Sequence, residues 1–393
     1  MISLKTVQNV ELVHQKMQNK HKRIFIIAGE VSGDVLGGRI MSEIPDAEFV
    51  GIGGENMQAA GLKSLFPMSD LSVMGIVEVL AHAKTLTRRI KQTVAAILEY
   101  KPDLVVTIDS PGFAKSVIKQ VRNHTGGKCL IANGLRFHHV VAPQVWAWRS
   151  GRAKKYARLF DKLYAFFDFE IPYFTKYGLD TVAVGHPIAD KLIGKFNNAK
   201  KTDEKVIALI PGSRMSEVKR LMPLMRDIAD QMVRNGYQGY KFIIPTVETT
   251  VGYVSEEIKK WPIRPVLVPS EKRYDVYSKA YIAIAASGTV SAELAMLHVP
   301  TVVVYKMNPI TMWIGRHLIH VKWVSLVNIL LNCCVYPECL GADANVNCVL
   351  DAVQKLTIPS VRKNMIADLQ SADSLWKKSG KGAAALIAKN ILN

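Results

Sequence analysis

Short apolar runs alternate with longer stretches in which apolar residues recur at helical spacing, and this rhythm fills the chain twice. In the first half, Arg23–Ala28, Phe49–Ile52, Leu104–Ile108, Leu163–Phe166 and Thr181–Val184 have the length and composition of strands, and Cys129–Ile131 or Phe137–Val141 gives another. The polar segment 194–205, G-K-F-N-N-A-K-K-T-D-E-K, reads as a linker, after which strand candidates resume at 206–210, 241–245, 265–268, 281–285 and 301–304. Strands alternating with helices predict parallel sheets covered on both faces. The expectation is α/β: two doubly wound domains, 23–198 and 199–350, whose strand ends face each other across a cleft. Residues 1–22 read as an N-terminal extension and 351–393 as C-terminal helices with a polar break at Lys377 to Gly382.

Each half opens with a strand that breaks at glycine. Arg23–Ala28 runs into G-E-V-S-G-D at 29–34, with a helix expected over 35–44; Val206–Ile210 runs into P-G-S-R, with a helix over 215–233. Neither turn has the G-x-G-x-x-G spacing or a following G-K-[ST]. In the first turn Glu30, Ser32, Gly33 and Asp34 leave room for a ligand to approach the backbone. In the second, Gly212 and Ser213 offer free N–H groups, and the Arg214 guanidinium adds a donor fork suited to phosphate. An ordinary βα turn with a surface arginine has the same spacing. Asp109 ends V-V-T-I-D before a Ser-Pro-Gly turn, where a carboxylate serves either as a base for an attacking hydroxyl or as a turn-stabilising residue. A third strand-to-helix turn holds Ser287, Gly288 and Thr289, with Glu293 one helical turn on, either placed for a ribose diol or part of a well-made helix start.

Charge changes the picture further. The 393 residues carry 51 Lys and Arg against 33 Asp and Glu, formally +18, a surplus that favours anionic partners: nucleic acid, lipid headgroups or phosphorylated small molecules. Residues 143–158 interleave aromatic and basic side chains, which would stack on bases or, for two tryptophans so close, form a packed wall. On a helix Val73, Met74, Val77 and Leu80 share one face, with His82, Lys84, Arg88, Arg89 and Lys91 following. That pattern fits either a buried amphipathic helix or docking on anionic lipid. The five cysteines lack metal-ligand spacing and read as thiols of a reducing compartment. With no leader-like start and no run of about 18 apolar residues, the expectation is a cytoplasmic protein with at most peripheral membrane contact.

The order of these signals carries more than any one of them. G-E-V-S-G-D, V-M-G-I-V-E-V-L, I-D-S-P-G-F, P-Q-V-W-A-W-R, G-H-P at 185–187, I-P-G-S-R-x-x-E-V and A-S-G-T-V-S-A-E-L together resemble the lipid-A-disaccharide synthase family from about residue 23 to about 350. The resemblance implies the GT-B arrangement of two Rossmann-like domains. It also implies an inverting transfer from UDP-2,3-diacylglucosamine to 2,3-diacylglucosamine 1-phosphate that forms a β-1,6 linkage. Under it Asp109 is the base and Arg214 steadies the departing UDP. Gly212, Ser213, Ser287, Gly288, Thr289, Glu293 and Asn328 then line the donor side, and Glu30, Ser32, Gly33 and Asp34 the acceptor side. It makes Val73, Met74, Val77 and Leu80 acyl-chain or membrane contacts at the inner-leaflet surface. No metal and no cofactor are implied, and a homodimer is. Residues 123–138 run longer than the family pattern, Val327 stands where proline is usual, and Gly341 stands where glutamine is usual. The competing readings are another GT-B UDP-sugar transferase or epimerase, and a nucleic-acid-binding module.

Overall fold

The computed structural model describes residues 21–71, 83–194, 196, 205–306 and 322–393. The expected extension over 1–20, most of the polar linker and the apolar face at 73–80 lie outside the described residues. The chain forms two compact units. One comprises the chain to Val145 with Ser150–Val184 and Lys381–Asn393; the other comprises Trp146–Arg149 and Gly185–Gly380.

The first unit holds strands β1 (Arg23–Ala28), β2 (Glu48–Ile52), β3 (Lys63–Ser64), β4 (Leu104–Ile108), β5 (Arg136–Val140), β6 (Lys162–Ala165) and β7 (Asp180–Ala183). Between them run helices α1 (Val31–Ser42), α2 (Glu55–Ala59), α3 (Ala83–Tyr100), α4 (Pro111–Asn123), α5 (Thr125–Ala132), α6 (Arg152–Ala157) and α7 (Ile171–Thr175). All neighbouring strands are parallel, in the order β3-β2-β1-β4-β5-β6-β7.

The second unit holds α8 (Ala189–Leu192), β8 (Val206–Ile210), α9 (Met215–Arg234), β9 (Lys241–Thr246), α10 (Glu248–Ile258), β10 (Val266–Pro269), α11 (Arg273–Tyr277), β11 (Ala280–Ala286), α12 (Thr289–Met296) and β12 (Thr301–Tyr305). Then come α13 (Leu326–Leu331), β13 (Glu338–Leu340), α14 (Val346–Thr357), α15 (Pro359–Ser371) and α16 (Asp373–Trp376). Its sheet is also parallel throughout, in the order β10-β9-β8-β11-β12-β13. The last helix, α17 (Gly382–Leu392), belongs to the first unit.

Strand alternation divides the first unit's core between two faces. Phe25, Ile27, Val105 and Phe137 meet Val94 and Ile97 of α3 and Val117 and Val121 of α4. Ile24, Ile26, Leu104 and Val106 meet Leu36 and Ile40 of α1 and Ile387 and Ile391 of α17. Because both faces are covered, β4 is buried at every position, which is why it reads as an apolar run interrupted only by Thr107.

One local expectation changes and one open alternative is decided. The first helix begins at Val31, not 35, so the Ser-Gly-Asp of the turn lies inside it. A Cβ on Gly33 would stand 3.4 Å from the Ile108 carbonyl oxygen, in ordinary van der Waals contact, so the helix start packs against the end of β4. Cys129–Ile131 is helical and Phe137–Val140 is the strand; the extra length before it is α5, capped by His124 Nδ1 accepting from the Gly126 N–H at 3.1 Å. The short edge strands β3 and β13 carry too few residues to show periodicity.

Candidate active site

In each sheet the strand order reverses direction between two central strands, and loops diverge there to leave a crevice beyond the carboxyl ends of the strands. The first sheet reverses between β1 and β4, which end side by side with Ala28 opposite Ile108. Gly29 and Glu30 leave one strand and Asp109 and Ser110 leave the other. The second sheet reverses between β8 and β11, with Ile210 opposite Ala285. There Gly212–Arg214 leave one strand and Ser287–Thr289 the other.

At the first switch point Asp109 and Ser110 are both left-handed, at φ 54° and 43°, and Val141 at the end of β5 has φ 78°. Consecutive non-glycine residues in this region, the second of them before Pro111, store strain that the surrounding packing must hold. The Asp109 N–H is fixed by the Val140 carbonyl at 3.0 Å. Burial pushes the Asp109 carboxyl above its usual range, partly offset by the Ser110 N–H. Glu30, the residue before α1, is raised as well, first by burial and then by the charge of Asp109. The structure thus brings Glu30 and Asp109 together as a pair of carboxyls, one raised by the other's charge.

Ser32 is exposed, and Gly33 is buried on the inner face of α1. Asp34 is committed elsewhere: its buried carboxylate accepts from the N–H groups of Gly54 (2.7 Å), Asn56 (3.0 Å) and Met57 (3.0 Å) and from Asn56 Nδ2 (2.8 Å). It therefore ties α1 to the start of α2. Burial opposes its ionisation, but these hydrogen bonds prevail and hold its pKa below the usual carboxylate value.

At the second switch point Gly212 has φ 105°, and a Cβ there would stand 2.7 Å from a Glu217 carboxylate oxygen. Arg214 is exposed at the N-cap of α9, and its guanidinium meets Glu217 at 3.2 Å, a pairing that holds the fork at the helix start. Gly288, at φ 151° and ψ −160°, occupies a region open only to glycine. It turns the chain from β11 into α12, while the Ser291 hydroxyl donates back to its carbonyl at 2.7 Å. Glu293 is buried at 7% exposure and accepts from the Tyr274 hydroxyl at 2.9 Å, with the Arg273 guanidinium at 3.7 Å. Burial raises its pKa, and Arg273 and Tyr274 offset this.

Asn328 is fully buried and uses its whole amide. Nδ2 donates to the Tyr336 carbonyl (2.8 Å) and Glu338 (2.9 Å), and Oδ1 accepts from the N–H groups of Val335 (2.9 Å) and Tyr336 (2.8 Å). It holds the segment leading into β13. Glu338 accepts in turn from the N–H groups of Val324 and Ser325.

Sequence reasoning quoted Gly29, Ser110 and Tyr156 only as parts of longer stretches and gave them no role of their own, and it missed the Arg273–Tyr274 pair, which sits in no recognisable spacing. The tryptophan stretch is a turn in which Arg149 lies 4.5 Å over the Trp148 ring. Among the described residues no group of three or more His, Cys, Asp or Glu is placed to hold a metal, and no helix is long and apolar enough to cross a membrane.

Comparison with known proteins gives the family and the fold. The lipid-A-disaccharide synthetase family profile matches residues 24–387. A lipid-A-disaccharide synthase from Rhodospirillum centenum is 39% identical over 357 residues, 87% of each chain. Among solved structures, a UDP-GlcNAc 2-epimerase from Neisseria meningitidis bound to UDP-GlcNAc superposes with TM-score 0.59 at 11% identity, covering 94% of this chain and 99% of that one. Acinetobacter baumannii MurG gives 0.58 at 12% identity, with the same coverage of each chain. The fold is GT-B.

Proposed function

The chain belongs to the lipid-A-disaccharide synthase family, and from that premise we propose how its two switch points divide the transfer of an acylated glucosamine from UDP to an acylated glucosamine 1-phosphate. The first takes the acceptor. Asp109 is the base that removes the proton from the acceptor 6-hydroxyl as it attacks the anomeric carbon, inverting it in one displacement. A carboxyl raised by burial is a stronger base than one in water, which suits this step. Glu30, beside it, lines the acceptor side; Asp34 serves the same region through α2.

The second switch point takes the donor. N–H groups of Gly212, Ser213, Gly288 and Thr289 and the hydroxyls of Ser213, Ser287 and Thr289 face the diphosphate, and Arg214 leaves Glu217 to neutralise charge growing on departing UDP. Glu293, braced by Tyr274 and Arg273, is set toward the ribose. Asn328 shapes the donor pocket by holding the loop into β13. Acylated substrates give an apolar face at Val73, Met74, Val77 and Leu80 its purpose, as contacts to acyl chains and the inner-leaflet surface. A homodimer is the assembly the resemblance implies.

The single observation behind this division is that Asp109 directly follows β4 and Arg214 closes the turn that leads from β8 into α9, each beside its sheet's switch point. The test is UDP release from UDP-2,3-diacylglucosamine in detergent micelles containing EDTA, with and without the acylated sugar 1-phosphate. Release that requires the acceptor supports the reading. Release without it makes the chain a hydrolase or epimerase-like enzyme on the same fold.

A further inference from the structure

Beside Asp109 the first unit gathers three cations around one tyrosine. Tyr156 on α6 is fully buried, and the Lys115 ammonium of α4 lies 5.9 Å from its ring centroid. The Arg152 guanidinium, one turn earlier on α6, is the neighbour of its hydroxyl, and Asp109 is near enough for its charge to be felt there. Lys155, also on α6, completes the group. Burial first, then the charges of Arg152 and Lys155, hold Lys115 below the ordinary lysine range. His139, edge-on to Tyr156 with ring centroids 5.2 Å apart, is buried and held neutral, so it adds no fourth positive charge.

Among the described residues no recorded ion pair includes Lys115 or Lys155. Three like charges converging on a partly buried spot repel one another, and an anion seated among them relieves that repulsion. The cluster does not neutralise the base: the influences on Asp109 are burial and the Ser110 N–H, not a cation.

We propose that Lys115, Arg152 and Lys155 form the subsite for the acceptor's anomeric phosphate, a phosphate monoester. The inference rests on the glycosyl-transfer reading above. In such an acceptor the 6-hydroxyl and the 1-phosphate stand on opposite sides of one sugar ring, so the two groups need neighbouring but separate seats. Asp109 provides one and the cation cluster the other. Lys115 follows Asp109 by six residues on the helix that Asp109 leads into, so the same βα unit positions both. Three donors on two helices hold a phosphate in orientation as well as in place.

The test is steady-state kinetics of Lys115→Ala, Lys155→Ala and the double variant in neutral detergent micelles. Two acceptors are compared, the acylated glucosamine with its 1-phosphate and the same sugar without it. Each removed cation raises the KM for the phosphorylated acceptor about tenfold, the double variant more, since a charge-assisted bond is lost each time. The preference for the phosphorylated acceptor narrows by the same factor, the KM for the UDP-sugar moves less than about twofold, and Lys115→Arg recovers most of the loss. UDP binding by each variant checks that it is folded.

An unchanged acceptor KM in the double variant overturns the subsite. Binding to phosphatidylglycerol and phosphatidylcholine vesicles, measured alongside, distinguishes a lipid headgroup as the source of phosphate. Loss of binding to the anionic vesicles with acceptor KM intact assigns the cations to the membrane and also overturns the proposal. Wild-type turnover with an unaltered variant KM removes the subsite alone, whereas no acceptor-dependent turnover in the wild type removes the transferase reading with it.

Discussion

Gly29 and Ser110 are packed so closely that a Cβ on Gly29 would stand 2.0 Å from the Ser110 Oγ and 2.8 Å from its Cβ. The end of β1 is thereby pressed against the residue that follows Asp109, itself left-handed. This contact locks the loop that presents the carboxyl. Gly29→Ala should therefore displace Ser110 and Asp109, costing about 1–3 kcal/mol of stability and a larger share of turnover. Gly29→Ala combined with Ser110→Gly removes the clashing atoms and should regain part of both. Chemical denaturation and UDP release on the single and double variants check the coupling; strict additivity would argue against it.

Asp109→Ala should fold and lose turnover by about 10²–10⁴-fold, the range expected for a positioned base. Asp109→Asn carries a second consequence. Because burial raises this carboxyl above its unfolded value, its stabilising contribution is complete below the unfolded pKa and is lost as pH rises through the folded one. Asparagine removes that loss and tolerates the left-handed backbone better. The variant should unfold at a higher temperature than the wild type near neutral pH, with the gap closing on acidification. Melting curves across a pH series check the sign.

Asp34 should behave in the opposite way. Its folded pKa is depressed by the Asn56, Met57 and Gly54 donors despite burial, so its contribution is present above the unfolded pKa and lost as pH falls through the folded one. Asp34→Ala leaves three backbone N–H groups without their acceptor and should cost roughly 3 kcal/mol at neutral pH. A denaturation series at neutral and acid pH, in which the wild type converges on the variant, is the measurement.

Arg214 is exposed and paired only at the surface with Glu217, so Arg214→Ala should leave stability within about 0.5 kcal/mol. Its kcat/KM should fall by about 10²–10³-fold as the departing diphosphate loses its counter-charge. Calorimetric UDP binding together with turnover separates a binding loss from a transition-state loss.

Asn328→Ala should act almost wholly through structure. It strands the Val335 and Tyr336 N–H groups, bonded at 2.9 and 2.8 Å, and should destabilise the protein by roughly 2–4 kcal/mol. Asn328→Asp should be worse, since it sets a buried carboxylate against that of Glu338. Thermal unfolding of the two variants gives the order directly.

What the chain made legible follows from the range of each signal. The strand ends before Asp109 and the Pro-Gly-Ser-Arg turn can be read because a buried parallel strand is a largely apolar run and the glycine or proline that stops it lies within a few residues. The commitments of Asp34 and Asn328 cannot. Asp34 reaches Gly54, 20 positions away, and only the parallel pairing of β1 with β2, which sets α1 against α2, makes that a neighbour. The same holds for Lys115 and Tyr156, brought together by two helices that share no spacing. Ser-Gly-Asp has the composition of a turn, which hides the start of α1 at Val31, where the Asp34 N–H already donates to the Glu30 carbonyl at 2.9 Å.

The return of α17 to the first unit also sets an order of events. Ala383, Ala384, Ile387, Ala388 and Ile391 complete a core begun by Ile24 and Ile26. On the ribosome that core stays open along α1 until the whole of the second unit has emerged. A stop codon after Gly380 would therefore injure the opposite end of the sequence, and dividing the gene at the polar linker would yield a first half with its hydrophobic flank uncovered.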